Sequence, residues 1–195
     1  MTTDVTNPMP RTLPITVDQY RMLVEQGEFA DHFGQVELIY GKIIEMNPQG
    51  PRHADPIDEL EEWSHLQADD CFRIRIEKPI EIPGLHSSPE PDVAWVTRRR
   101  YADQHPGPGD IHLLIEVSGS SKQFDRGEKR QLYAEAGISE YWIVDISLQT
   151  IEVMTQPAGK EYQQSTIHGL NETVSPQCLP SAVLQVSQLF SDSVE

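Results

Sequence analysis

The sequence predicts one α/β domain with a mixed β-sheet core flanked by helices, preceded by an N-terminal helix and a β-hairpin. Three observations lead there. Ile111-His112-Leu113-Leu114-Ile115-Glu116-Val117 and Tyr141-Trp142-Ile143-Val144-Asp145 are almost continuously apolar, as strands covered on both faces are. Helical stripes with start and stop signals lie between and before the strands. The length, 195 residues, suits one domain that buries its own core without disulfide or zinc staples.

Residues 1–14, with Pro8, Pro10 and Pro14, read as a flexible arm, and 15–195 as the domain. Thr16-Val17-Asp18-Gln19 has the form of a capping box, and the helix it opens stops near Gly27. Val36-Glu37-Leu38-Ile39 and Lys42-Ile43-Ile44-Glu45-Met46 flank Tyr40-Gly41, a hairpin with Gly in its turn. Asp55-Pro56 predicts a helix start, followed by the stripe Ile57, Leu60, Trp63 and Leu66 or Gln67. Phe72, Ile74 and Ile76 alternate with Arg73, Arg75 and Glu77, which predicts a strand with one wet face. Strands follow at 92–96, 111–117 and 141–145, and a helix between Asp125 and Gly137. Residues 150–154 and 162–165 predict a meander, and 184–190 a short closing helix. Tyr141 and Trp142 read as core rather than as a base-stacking platform.

The composition excludes several classes. No run approaches the roughly 20 apolar residues of a membrane span. Residues 1–8 have neither the basic end nor the apolar stretch of an export signal. Cys71 and Cys178 stand alone and read as reduced thiols, so a cytoplasmic location is expected. The net charge of −16 opposes binding to a polyanion, yet 10 of the 15 Lys and Arg lie within residues 71–145. A phosphate contact is expected there, first at the densest spot, Arg98-Arg99-Arg100, whose bland alternative is a solvated loop.

Three polar residues break apolar patterns. Asp92 follows Pro91 at a strand start, Glu116 interrupts the strand expected to be most buried, and Lys129 lies on the next helix. Ionised carboxylates inside a sheet are costly unless paired or bound to metal. Two on neighbouring strand ends can share a hard divalent cation, and a lysine at the same point can stabilise charge on a phosphoryl oxygen. Each also has a structural reading. Asp92 could cap a turn, Glu116 could pair with Arg126, Lys129 or Arg130, and Lys129 alone would be a solvated helix lysine.

Pro91-Asp92, 23 intervening residues, Glu116 and a following lysine form a pattern that resembles the PD-(D/E)XK nuclease superfamily. Within it the chain resembles the Uma-type restriction endonucleases, long known only as a domain of unknown function. Five ordered blocks carry the likeness: residues 37–46, 50–54, 89–94 and 114–117, then a set over 125–145 that includes Asp125-Arg126-Gly127-Glu128-Lys129. The resemblance implies a restriction-endonuclease-like core and Mg²⁺- or Mn²⁺-dependent hydrolysis of DNA phosphodiesters. It implies Asp92 and Glu116 as metal ligands, the Val117 carbonyl as a third, and Lys129 as the catalytic cation. It also includes Glu37 and His53 in supporting positions and raises the expectation of a homodimer. The lysine that usually stands two residues after the glutamate is replaced by Ser118, which leaves Lys129 on the helix and Lys122 in the preceding loop as candidates. A catalytically inactive interaction or regulatory module is the competing reading, and a hydrolase of small phosphoesters a third.

Overall fold

The computed structural model describes residues 13–32, 34–68, 70–119 and 125–190. Helix α1 (Val17–Glu25) opens on the expected capping box, in which Gln19 N–H donates to Thr16 Oγ1 and Thr16 N–H to Gln19 Oε1. Strands β1 (Val36–Ile39) and β2 (Lys42–Glu45) form the hairpin. Its turn places Tyr40 and Gly41 at φ +48° and +74°, the left-handed pair that a two-residue connection requires. A Cβ on Gly41 would stand 2.2 Å from Pro14 Cβ, so glycine also lets the chain entry rest on this turn. Residues 1–12 of the expected arm lie outside the described residues.

Helix α2 spans Pro51–Gln67 and begins earlier than the expected Asp55-Pro56 start. Gly50 is the cap residue and Pro51 takes the first helical position, so Pro56 falls inside the helix, where it cannot donate to the Arg52 carbonyl. The main sheet has six strands in the order β3 (Phe72–Ile76), β4 (Val93–Thr97), β5 (Ile111–Ser118), β6 (Glu140–Asp145), β7 (Thr150–Ala158), β8 (Glu161–His168). All neighbours are antiparallel except β5 and β6, which makes the sheet mixed, as expected. The meander strands β7 and β8 run longer than the apolar pattern suggests, because β8 carries exposed polar residues along most of its length.

The two faces of the sheet follow from strand alternation. On one, Val93, Trp95, Leu113, Ile115, Val117, Trp142 and Val144 pack against Ile57, Leu60 and Trp63 of α2. Trp63 stacks near Trp95 and Trp142, with centroids 5.4 and 6.0 Å away, and Trp95 Nε1 donates to Ser64 Oγ at 2.9 Å. On the other, Ala94, Val96, Leu114, Tyr141 and Ile143 pack against Leu132 and Tyr133. Those two belong to α3 (Arg130–Glu135), which follows a π-helical turn over Asp125–Lys129 rather than continuing one α-helix from 125. Gly137, at φ +77°, ends the segment as expected.

The expected closing helix is replaced by a two-residue strand, β10 (Leu184–Gln185), paired with β9 (Thr173–Val174), and a 3₁₀ turn over Val186–Leu189. Leu184, Val186 and Leu189 are all buried, but their spacing alternates before it turns and does not make a helical stripe. No helix among the described residues is long and apolar enough to cross a membrane.

Candidate active site

Alternation along β5 decides where its one acidic side chain points. Leu114 faces α3, so Glu116 does as well, and Ser118 after it. Glu116 is 3% exposed. Its Oε1 accepts a hydrogen bond from Tyr133 Oη at 2.8 Å and one from Lys129 Nζ at 3.0 Å. Lys129 stands where the π turn passes into α3, and its side chain runs back to the sheet to meet Glu116. It therefore reaches the face on which a lysine at position 118 would have stood. Lys122 lies outside the described residues.

The hairpin supplies the second acid. Leu38 and Ser88 exchange main-chain hydrogen bonds of 3.3 and 2.7 Å, which fasten β1 to the segment leading into β4. Glu37, 1% exposed, then meets Lys129, whose Nζ donates to Glu37 Oε1 at 3.0 Å, and the Glu90 N–H donates to the same oxygen at 3.2 Å. Glu37 Oε2 is buried and has no hydrogen-bond partner among the described residues. Burial pushes the Glu37 carboxyl above its ordinary value even though Lys129 pulls it down. Glu90 is pushed up to about 7, first by burial and then by the Glu37 charge.

Asp92 sits one residue before β4 and is 6% exposed. Ser118 accepts a hydrogen bond from Ile146 N–H on the β6 side, so the N–H and C=O of Val117 face the β4 side, beyond the last β4–β5 pair. There the Val117 N–H donates to Asp92 Oδ2 at 2.6 Å. Asp92 Oδ1 has a long contact, 3.5 Å, from Gln49 Nε2. His53, in the first turn of α2, brings Nε2 to 3.8 Å from Asp92 Oδ2, an ion-pair distance only if the ring is protonated.

These residues share a cavity of about 860 Å³, whose walls include Glu37, His53, Glu90, Asp92, Glu116, Val117 and Lys129. Sequence reasoning passed over Glu90, Tyr133 and Arg52. Arg52 is an exposed cation on the cavity rim, next to His53. Glu90 stands between two prolines, which was the available signal. Tyr133 reads as an inward apolar residue until its hydroxyl is seen against Glu116. Arg98, Arg99 and Arg100 follow the other end of β4 from Asp92 and do not line the cavity. Arg98 and Arg99 pair instead with Asp70 and Asp110, at 3.5 and 2.7 Å.

No cluster of three or more His, Cys, Asp or Glu side chains among the described residues forms a metal cage. The oxygens present still fit a hard divalent cation. Two buried carboxylates and the Val117 carbonyl can serve it, with water completing the shell, as Mg²⁺ sites usually allow. The orphaned Glu37 Oε2 is a further acceptor on the same wall.

The Tyr133 hydroxyl is fully buried, and burial followed by the Glu116 charge holds its pKa well above the ordinary tyrosine value. It is therefore a permanent donor to Glu116. Tyr133→Phe removes one charge-assisted hydrogen bond and little volume. The expected cost is about 1.5–3 kcal/mol, read as a lower urea midpoint with unchanged slope.

Residues 20–187 match the Uma2 family, described as "Putative restriction endonuclease". A crystal structure from Anabaena variabilis, described as "a putative nuclease belonging to DUF820", superposes with a TM-score of 0.72 at 21% identity. The match covers 91% of this chain and 98% of that one, which establishes a shared fold. No curated protein matches the chain. The match spans most of the sequence, and the chain belongs to the Uma2 family.

Proposed function

We propose that the chain is a metal-dependent endonuclease that hydrolyses DNA phosphodiester bonds in the cavity between the hairpin, α2 and the ends of β4 and β5. The observation that carries this reading is the meeting of Glu116 and Lys129 at 3.0 Å in a wall that also holds Asp92. Packing alone asks for none of the three. Asp92, Glu116 and the Val117 carbonyl would hold Mg²⁺ or Mn²⁺. When bound, the cation would supply Lewis-acid charge to the phosphate and make a neighbouring water more acidic.

The chain's own residues do the rest. The Val117 N–H fixes the Asp92 carboxylate, and Tyr133 and Lys129 fix that of Glu116. Lys129 places positive charge where negative charge grows on the phosphoryl oxygens. Arg52 at the rim is a candidate contact for a neighbouring phosphate, and His53 lies close enough to Asp92 to orient a water or a phosphate oxygen.

Incubation with supercoiled plasmid tests the reading. Nicked and linear forms are expected with Mg²⁺ or Mn²⁺, and intact plasmid once EDTA removes the cation. A specific observation favours a second reading, in which the fold serves as a non-catalytic interaction module. Lys129 is already shared between two carboxylates at 3.0 Å each, and the cavity wall is rich in acid. Metal binding by calorimetry together with intact DNA and RNA would establish that reading instead.

A further inference from the structure

Among the described residues, Lys129 is the one cation of residues 71–145 that lines the cavity, and the structure shows where several of the others go. Arg73 and Arg75 alternate outward on β3, an edge strand of the main sheet. They pair in register with Val96 and Ala94, which face α3, so both arginines lie on the same face of the sheet as Glu116. The loop after β4 brings Tyr101 against Arg75, while Arg73 is exposed. Arg75 lies over the Tyr101 ring at 5.7 Å and Arg99 over the same ring at 4.7 Å.

Arg75 is half-buried, yet its recorded partners are neutral. Its Nη2 donates to the Pro79 carbonyl at 3.1 Å and stands 3.2 Å from His105 Nδ1, while its buried Nε has no hydrogen-bond partner among the described residues. Burial holds His105 below the ordinary histidine value, so at neutral pH the ring is an uncharged acceptor for the arginine. Neither Arg73 nor Arg75 is among the cations paired with a carboxylate in the described residues, whereas Arg21, Arg98 and Arg99 each are. A half-buried guanidinium without a counter-ion is costly, and an anion supplied from outside relieves the cost. In a chain of net charge −16 this is an unusual arrangement.

We propose that Arg73 and Arg75 form a phosphate-binding patch that holds the nucleic-acid backbone a few nucleotides from the cleaved bond. The patch rests on the nuclease reading for its purpose but is distinct from the cavity. Strand geometry sets the scale. With a rise of about 3.3 Å per residue and strands about 4.8 Å apart, the backbones of Arg75 and Arg73 stand about 8 and 14 Å from that of Asp92. That span corresponds to roughly two to four steps of one strand at about 3.4 Å each. Planar guanidinium forks suit phosphate oxygens, and Tyr101 supports one of them from below.

The test is fluorescence anisotropy of a labelled DNA duplex with the intact protein in EDTA, at several salt concentrations. Wild type, Arg73→Gln, Arg75→Gln, Arg75→Lys and the double Gln variant are compared, with Lys160→Gln as a control on the β7–β8 turn. Each Gln substitution is expected to lower the slope of log K against log salt by about one, and the double variant to bind at least tenfold more weakly. Arg75→Lys keeps the slope, Lys160→Gln changes nothing, and excess inorganic phosphate competes only weakly if the ligand is a polymer. Arg73 is exposed, so Arg73→Gln reads the patch even if Arg75→Gln melts early. An unchanged slope in Arg73→Gln, or no DNA binding by wild type, overturns the patch. Weakened binding by the Gln variants in a protein that cleaves no plasmid retains the patch and removes the nuclease reading.

Discussion

Lys129→Ala is expected to reduce plasmid cleavage at least a hundredfold and to destabilise the protein at the same time. The ammonium is buried between Glu37 Oε1 and Glu116 Oε1, 3.0 Å from each. Removal of one partner from a buried ion pair leaves uncompensated charge, at a cost of about 3–5 kcal/mol. The loss of charge stabilisation at the reacting phosphate accounts for the rate effect. The stability effect has a definite pH dependence. Glu37 is already held above its ordinary value by burial, with Lys129 opposing, so the variant raises it further. A carboxyl raised in the folded state favours folding while protonated, and that contribution is lost as pH rises through the folded value. The gap in melting temperature between wild type and Lys129→Ala is therefore small near pH 4 and widest at neutral pH. A gap that widens on acidification would show that Lys129 does not serve those carboxylates.

Much of the frame is legible from local pattern because the two central strands are apolar on nearly every residue. Against them a single glutamate stands out, and alternation alone assigns Glu116 to the α3 face. The capping box at Thr16 and the turn at Tyr40-Gly41 are equally local, so they too are readable. What is not local is hidden. Glu37 meets Glu90 only because Leu38 pairs with Ser88, some fifty residues away, and no periodicity records that contact. Tyr133 counts as an apolar residue in a helical stripe until the register of α3 against β5 places its hydroxyl on Glu116. The π turn that ends at Lys129 leaves no mark, since Asp125-Arg126-Gly127-Glu128-Lys129 fits an ordinary helix start as well. Charge density is a separate kind of signal, and it does not point to the cavity. Arg98-Arg99-Arg100 is the most basic run in the chain, but the direction of β4 carries it away from Asp92, and two of the three answer nearby aspartates.

Asp92 is the residue at which structural and chemical roles can be separated by choice of substitution. Its Oδ2 accepts the Val117 N–H at 2.6 Å, and this bond holds the end of β5 against the start of β4 where the sheet pairing has stopped. Asp92→Ala strands that buried donor, which costs about 1–3 kcal/mol, and removes the carboxylate as well. Asp92→Asn keeps an acceptor in the same place and removes only the charge. Both variants are expected to lose plasmid cleavage to background. Asn alone should melt within about 1 kcal/mol of wild type, while Ala should fall clearly below it. Calorimetric titration with Mn²⁺ completes the comparison, with heat expected from wild type and none from either variant. Cleavage that persists in Asp92→Asn at the wild-type rate would place the chemistry elsewhere, because an amide cannot supply the anionic oxygen that a hard cation prefers.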